Sequence, residues 1–213
     1  MKKRNLIMMA TLFVFTLGTA AVFAKTNSEI KSEDLDSFTA VEVNVDTSNI
    51  NIVKGDKYKI EIDYRQPKEK IDYKVKNNKL IITAKRNWNI FPEFGPQPYN
   101  VITVYAPDID TVKFNSKSGC IKLEDFNVQN AVIKATYGNV NMKNSKIQDA
   151  NVSTTFGGIN INLVEQSNLK LKVVSGTIKV DGKIYEREYT EDNSSSSNIN
   201  VKSDSGDITI THR

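Results

Sequence analysis

The residues that carry most enzyme chemistry are scarce in this chain. In 213 residues there is one histidine, His212, one cysteine, Cys120, and one tryptophan, Trp88. A single cysteine permits no intramolecular disulfide, so the fold rests on its core and its hydrogen bonds. A Ser-His-Asp or Cys-His system needs a positioned imidazole. His212 stands one residue from the end, where chains fray. A zinc site wants several His or Cys ligands. The expectation is therefore no enzyme, no metal and no cofactor, with Cys120 as an incidental outward strand residue.

The sequence also lacks a usable excess of one charge. Whole, it carries 29 basic and 25 acidic residues. The first 24 residues take three of the basic ones, Lys2, Lys3 and Arg4, and none of the acidic ones. Residues 25–213 carry 26 basic against 25 acidic side chains, interspersed along the strands. A nucleic-acid partner needs a basic face, and none is expected. Residues 6–24 are almost wholly apolar and end in Val22-Phe23-Ala24. A basic start, an apolar run and small residues before a cut make a secretory signal peptide, with cleavage before Lys25. The rival is an uncleaved anchor, since the run is just long enough to span a bilayer. Either way the domain is expected outside the cytoplasm, secreted or held in the envelope. No cysteine follows the apolar run for acylation, and no apolar tail precedes Arg213. With the leader cut, no integral membrane segment is expected.

What is present is a repeat. Gly119, Gly138, Gly157 and Gly176 stand 19 residues apart, and Gly206 comes after a further 30. Each precedes an apolar–polar–apolar triplet, from Ile121-Lys122-Leu123 to Ile208-Thr209-Ile210. Each comes after an alternating run, such as Val112, Phe114 and Ser116 or Ala131, Ile133 and Ala135. The same frame fits Val41, Val43, Val45, Ile50 and Ile52, with Ser48 in the glycine position. The unit therefore occurs at 41–52, 112–123, 131–142, 150–161, 169–180 and 199–210. Period-two alternation buries one face of each strand, and glycine at the bend supplies a backbone that other residues resist. One such unit cannot bury its apolar face alone, so neighbours must stack. The reading is an all-β fold, a short β-solenoid or β-roll of stacked strand–turn–strand repeats with an antiparallel hairpin insertion.

The domain limits are then 1–24 as signal peptide and 25–213 as a single all-β repeat domain. Within it, 58–105 is read as a hairpin insertion or cap, with Asn77-Asn78 as a hairpin turn. A second insertion spans 181–198, with a possible strand over 183–189 and the polar stretch Ser194–Ser197.

The pieces Ser118-Gly119-Cys120-Ile121, Ser175-Gly176-Thr177-Ile178 and Ser205-Gly206-Asp207-Ile208 resemble a bacterial family of adhesin-like proteins with β-strand repeats, of otherwise unknown function. The resemblance covers about residues 38–211. It implies a right-handed β-solenoid-like fold, an envelope location, and a role in adhesion or envelope-stress sensing. It brings no catalytic residues.

One segment looks unlike scaffold. Residues 88–99 hold Trp88, Phe91, Phe94 and Tyr99 with three of the five prolines. Aromatics on a loop between strands suit carbohydrate, peptide or apolar contact, and they equally suit plugging the end of a stack. Lys122, Asn141, Asn160 and Lys179 share an outward column, with Asn139, Asn162 and Thr177 beside it. The carboxylate pairs Asp34–Asp36, Asp108–Asp110 and Glu191–Asp192 read as solvated loop charge rather than a glycosidase pair. Asp204 and Asp207 flank a turn where calcium is conceivable, without the glycine–aspartate nonapeptide of calcium β-rolls.

The leading reading is a non-enzymatic exported envelope protein, an adhesin-like binding or envelope-sensing module for an unidentified glycan or protein ligand. Two rivals stand beside it. One is a structural or assembly protein of the envelope that polymerises through exposed end strands. The other is a polysaccharide-acting β-helix enzyme, which calls for clustered Asp, Arg or His on one outward face. The columns here are Asn, Lys and Thr.

Overall fold

The computed structural model describes residues 29–65, 69–86 and 98–213; the 1–24 leader lies outside them. The chain opens with β1 (Glu29–Asp34), β2 (Ala40–Lys54), β3 (Lys59–Tyr64), β4 (Glu69–Lys76), β5 (Lys79–Arg86) and β6 (Asn100–Ala106). Its middle is β7 (Thr111–Ser118), β8 (Ile121–Glu124), β9 (Asn127–Tyr137), β10 (Val140–Phe156) and β11 (Ile159–Leu163). It closes with β12 (Asn168–Ser175), β13 (Ile178–Val180), β14 (Lys183–Tyr185), β15 (Glu188–Glu191), β16 (Asn198–Ser205) and β17 (Ile208–His212).

Each repeat folds as strand, bend, strand, and like positions of neighbouring units lie side by side. Val112 pairs with Val41 and Ala131, and Ile121 faces Ile50 and Val140, all in parallel. The first strands of the units form one sheet, here the entry sheet, in the order β4-β5-β2-β7-β9-β10-β16-β12-β15. The second strands form the exit sheet, in the order β1-β3-β6-β2-β8-β10-β11-β17-β13-β14. The long strands β2 and β10 pass from one sheet into the other, so all 17 strands share one hydrogen-bonded network. The fold is all-β and solenoid-like.

The alternation decides what is inside. Val41, Val43, Phe114, Ile133, Val152 and Ile199 come from the entry sheet, and Ile52, Leu123, Met142, Ile161 and Ile210 from the exit sheet. All are buried in one hydrophobic cluster. Each such aliphatic or aromatic side chain contributes about 1.5–3 kcal/mol over leaving it in water.

The coils do not stack in sequence order at either end. The last unit, β16 and β17, inserts between β10–β11 and β12–β13. The first unit, β2, sits between β5–β6 and β7–β8. The reason lies in the open edge that a terminal coil presents. Its unpaired N–H and C=O groups must be covered. At one end β14 and β15, from the insertion after β13, lie antiparallel on β13 and β12. At the other, β4 lies antiparallel on β5, and β3, carrying β1, on β6. The chain then returns to add its remaining coil on the inner side. The 58–105 insertion is therefore two things: β3 and β4 are antiparallel caps, while β5 and β6 complete a parallel coil. Asn77 and Asn78 (φ 52° and 58°) make the β4–β5 turn with positive φ at both central positions, as a type I′ hairpin requires.

Candidate functional site

The bend between the two strands of each coil is the most constrained feature. Gly119, Gly138, Gly157, Gly206 and Gly176 form one row in that spatial order, all at positive φ. A Cβ on Gly138 would lie 2.0 Å from the Gly119 carbonyl oxygen, and one on Gly157 would lie 2.1 Å from that of Gly138. Ser48 heads the row, since a Cβ on Gly119 would meet its carbonyl oxygen at 2.3 Å. The residue after the glycine adds a ladder across coils. Asn49 Oδ1 accepts from the Cys120 amide, Asn139 Oδ1 from Gly158, and Asp207 Oδ1 from Thr177, each at 2.8 Å. Asp207 is thus a turn residue, while Asp204 pairs with Lys202 at 3.2 Å.

The residue before the glycine also forms a row, and here side chains leave the scaffold pattern. Ser118, Tyr137, Phe156, Ser205 and Ser175 are register partners on successive coils. Tyr137 and Phe156 stack with ring centroids 5.1 Å apart and planes 5° from parallel. They remain 55 % and 48 % exposed. Ser118 Oγ lies 2.7 Å from the hydroxyl of Tyr99, itself exposed. The described end of the aromatic loop is thus fastened to the coil beside Tyr137. Trp88, Phe91 and Phe94 lie outside the described residues. The sequence reading missed Tyr137 and Phe156, although they stand 19 residues apart directly before Gly138 and Gly157.

The outward column of the exit sheet exists as read, with additions. Thr103, Asn51, Lys122, Asn141, Asn160, Thr209 and Lys179 succeed one another in register. Asn160 Nδ2 donates to Asn141 Oδ1 at 3.1 Å, a neutral side-chain ladder.

Carboxylates in the described residues are mostly answered by donors. Glu69 is 3 % exposed and closes the corner where the first coil has no glycine. It accepts from the Thr47 amide and hydroxyl at 2.9 and 3.1 Å, from Ser48 Oγ at 2.7 Å, and from Asn100 Nδ2 at 2.9 Å. Hydrogen bonds from Lys79 and Lys113 hold the Glu42 carboxyl below its ordinary range. At Asp46 burial works upward, but Lys117 and the Arg86 amide outweigh it and the carboxyl sits low. Asp108 and Asp110 line a depression of about 310 Å³ together with Lys146. Among the described residues no group of three or more His, Cys, Asp or Glu comes together to hold a metal.

His212 is a correction to the sequence reading. It is not frayed: it ends β17, and its side chain is only 5 % exposed. Its amide donates to Asp181 Oδ1 at 2.8 Å, and its Nδ1 lies 2.9 Å from Asp181 Oδ2. Burial works to raise the Asp181 carboxyl, but the bonds from His212 outweigh it and leave the group low. The imidazole is held because β17 pairs with β11 as far as Leu163–His212.

Stacked coils, a glycine bend and strand repeats define a fold that can be compared. The family profile described as Toastrack DUF4097 matches residues 38–212. The chain belongs to this family. Among solved structures, a candidate cell adhesion protein from Clostridium sporogenes is similar over 87 % of this chain and 100 % of its own, at 16 % identity and a TM-score of 0.66. A candidate adhesin from Bacteroides fragilis covers 87 % of this chain and 97 % of its own, at 15 % identity and a TM-score of 0.36. One from Parabacteroides distasonis covers 89 % and 98 %, at 10 % identity and a TM-score of 0.31. At this identity the Clostridium likeness shows a shared fold. No curated protein matches the chain. Among the described residues of this Toastrack chain, no helix is long and apolar enough to cross a membrane.

Proposed function

We propose that this chain is a non-enzymatic exported protein of the bacterial envelope, an adhesin-like module that works by surface binding. Its contact surface is the ridge of Tyr137 and Phe156 with Tyr99 beside them. The observation that carries this is the exposed, near-parallel stack of Tyr137 on Phe156. Aromatic rings left about half in water at the bend do nothing for the core, and such rings suit the apolar faces of sugar rings or a peptide side chain. The Clostridium sporogenes relative's description as a cell adhesion protein supports the same direction, and the apolar run of 6–24 supports export.

The test is a binding screen of residues 25–213 against envelope glycans, peptidoglycan fragments and host matrix proteins. Tyr137→Ser with Phe156→Ser is run beside the native chain, and the thermal midpoint confirms folding. A ligand that the native chain binds and the folded double variant loses supports the reading. Equal binding by both removes the ridge from it. Mass spectrometry of protein recovered outside the cell should find a chain that begins at Lys25.

A further inference from the structure

The two outer faces of the fold are not alike in charge. On the exit sheet the central outward column is largely Asn and Thr. On the entry sheet the coils near β2 carry lysines answered by acids. Glu42 bridges Lys79 at 3.0 Å and Lys113 at 3.2 Å, and Asp46 takes Lys117 at 2.7 Å. Across β9, β10, β16 and β12 lysines outnumber the acids that face them, Glu188 and Asp204. The outward row there runs Lys134, Ser153, Lys202, Lys172 in register, with Lys170 in the next row.

All four lysines are exposed. Lys134 and Lys170 make no ion pair among the described residues. Lys202 and Lys172 have only the half-exposed Asp204 and Glu188. Lys202 sits directly beside Lys172 on the neighbouring strand. Like charges so placed destabilise a sheet. Glu188 and Asp204 offset part of this repulsion, and Lys134 and Lys170 add to it.

These lysines surround a groove of about 470 Å³ floored by Val132, Asn151 and Asn200. It adjoins a depression of about 330 Å³ lined by Lys134, Lys202, Thr136 and Thr155, with the Asp204 carboxylate beside Lys202. Thr136 and Thr155 immediately precede Tyr137 and Phe156. A basic groove with amide and hydroxyl groups on its floor thus ends at the bend, where Tyr137 and Phe156 leave the strands one position further on.

We propose that this groove binds a linear anionic glycan, with carboxylate or phosphodiester groups on the lysines and sugar rings on the Tyr137–Phe156 stack. The inference rests on the ridge being the contact surface. Lysine ammonium groups act as exposed point charges with no demand for one anion geometry, so either anion fits. Their attraction is screened by salt. Asn151, Ser153 and Asn200 supply donors and acceptors for hydroxyls.

The experiment measures binding of residues 25–213 to polygalacturonate, poly(N-acetylglucosamine 1-phosphate), uncharged dextran and phosphatidylglycerol vesicles. Three folded variants accompany it. One is Lys134→Gln, Lys170→Gln, Lys202→Gln. The second is Tyr137→Ser, Phe156→Ser. The third is Lys122→Gln, Lys179→Gln on the opposite face. The native chain should bind one or both anionic polymers and not dextran, and the stronger of the two identifies the anion. Binding should weaken at least about tenfold between about 0.05 and 0.2 M salt. The groove-lysine variant should lose about tenfold or more, and the exit-face variant should stay within about twofold. Loss with the lysine variant but not the ridge variant keeps the groove and removes the ridge. Dextran binding that needs the ridge and ignores the lysines keeps the ridge and overturns the groove. Binding to vesicles alone, equal loss with the exit-face variant, or no binding to either polymer also overturns it.

Discussion

At the scale of single residues, the bends are where the fold has least freedom. Gly138 is at φ 144° with the Gly119 carbonyl where a Cβ would stand, whereas Gly182, at φ 85°, has nothing within 4 Å of that position. Gly138→Ala should therefore lose at least about 3 kcal/mol in urea unfolding, and Gly182→Ala only about 1–2 kcal/mol, from backbone strain alone. Equal losses would show that contact between coils does not set the glycine requirement. Glu69 plays the matching part where the glycine row ends. Its removal leaves the Ser48 and Asn100 donors buried without their carboxylate. Glu69→Ala should be destabilised by about 3 kcal/mol, and Glu69→Gln by less because one oxygen remains. A loss under about 1 kcal/mol for Glu69→Ala would mean that water reaches this corner. Glu69 was invisible as a keystone in the sequence, because nothing local links it to Ser48, 21 residues away.

At the scale of elements, the distinction is between paired coils and their caps. β9 and β10 are paired on both sides and bury Ile133 and Val152. β14 has three residues, pairs on one side, and leaves Ile184 71 % exposed. Amide exchange should therefore be at least about a hundredfold faster in β14 than in the centre of β10. Uniform protection would mean that the cap unfolds only with the whole. Antiparallel caps also weigh against end-to-end assembly, because edge strands that are short or carry lysines resist such pairing. β4 presents Lys70, Asp72, Lys74 and Lys76 outward.

At the scale of the whole molecule, stability depends on carboxylates held low. The folded-state values of Glu42, Asp46, Glu61 and Asp181 all lie below their ordinary range. The unfolded chain therefore takes up protons first as pH falls. The stability these groups contribute is complete above the ordinary carboxylate values. It is lost as pH falls through the lower folded-state ones. The thermal midpoint should be nearly flat from about pH 7 to 5 and fall steadily below about pH 4.5. Glu42→Gln should lower it at neutral pH and flatten the acid decline. A midpoint that rises on acidification would contradict this sign.

The sequence alone determined the unit: which residues face the core, where each coil bends, and that Ser48 stands in a glycine's place. These stem from period two along a strand and from steric exclusion at one Cα, both local. It also showed that a hairpin turns at Asn77-Asn78. Only the tertiary structure decided which coils are neighbours. That choice is made by closing the two open ends, and no local pattern encodes it. The last coil slips inside its predecessor, and this places Lys202 beside Lys172 and near Lys134. Lysines that look interspersed along the chain thereby gather on one face. Tyr137 and Phe156, ordinary strand positions in sequence, become a stacked pair because parallel pairing in register puts equivalent residues side by side.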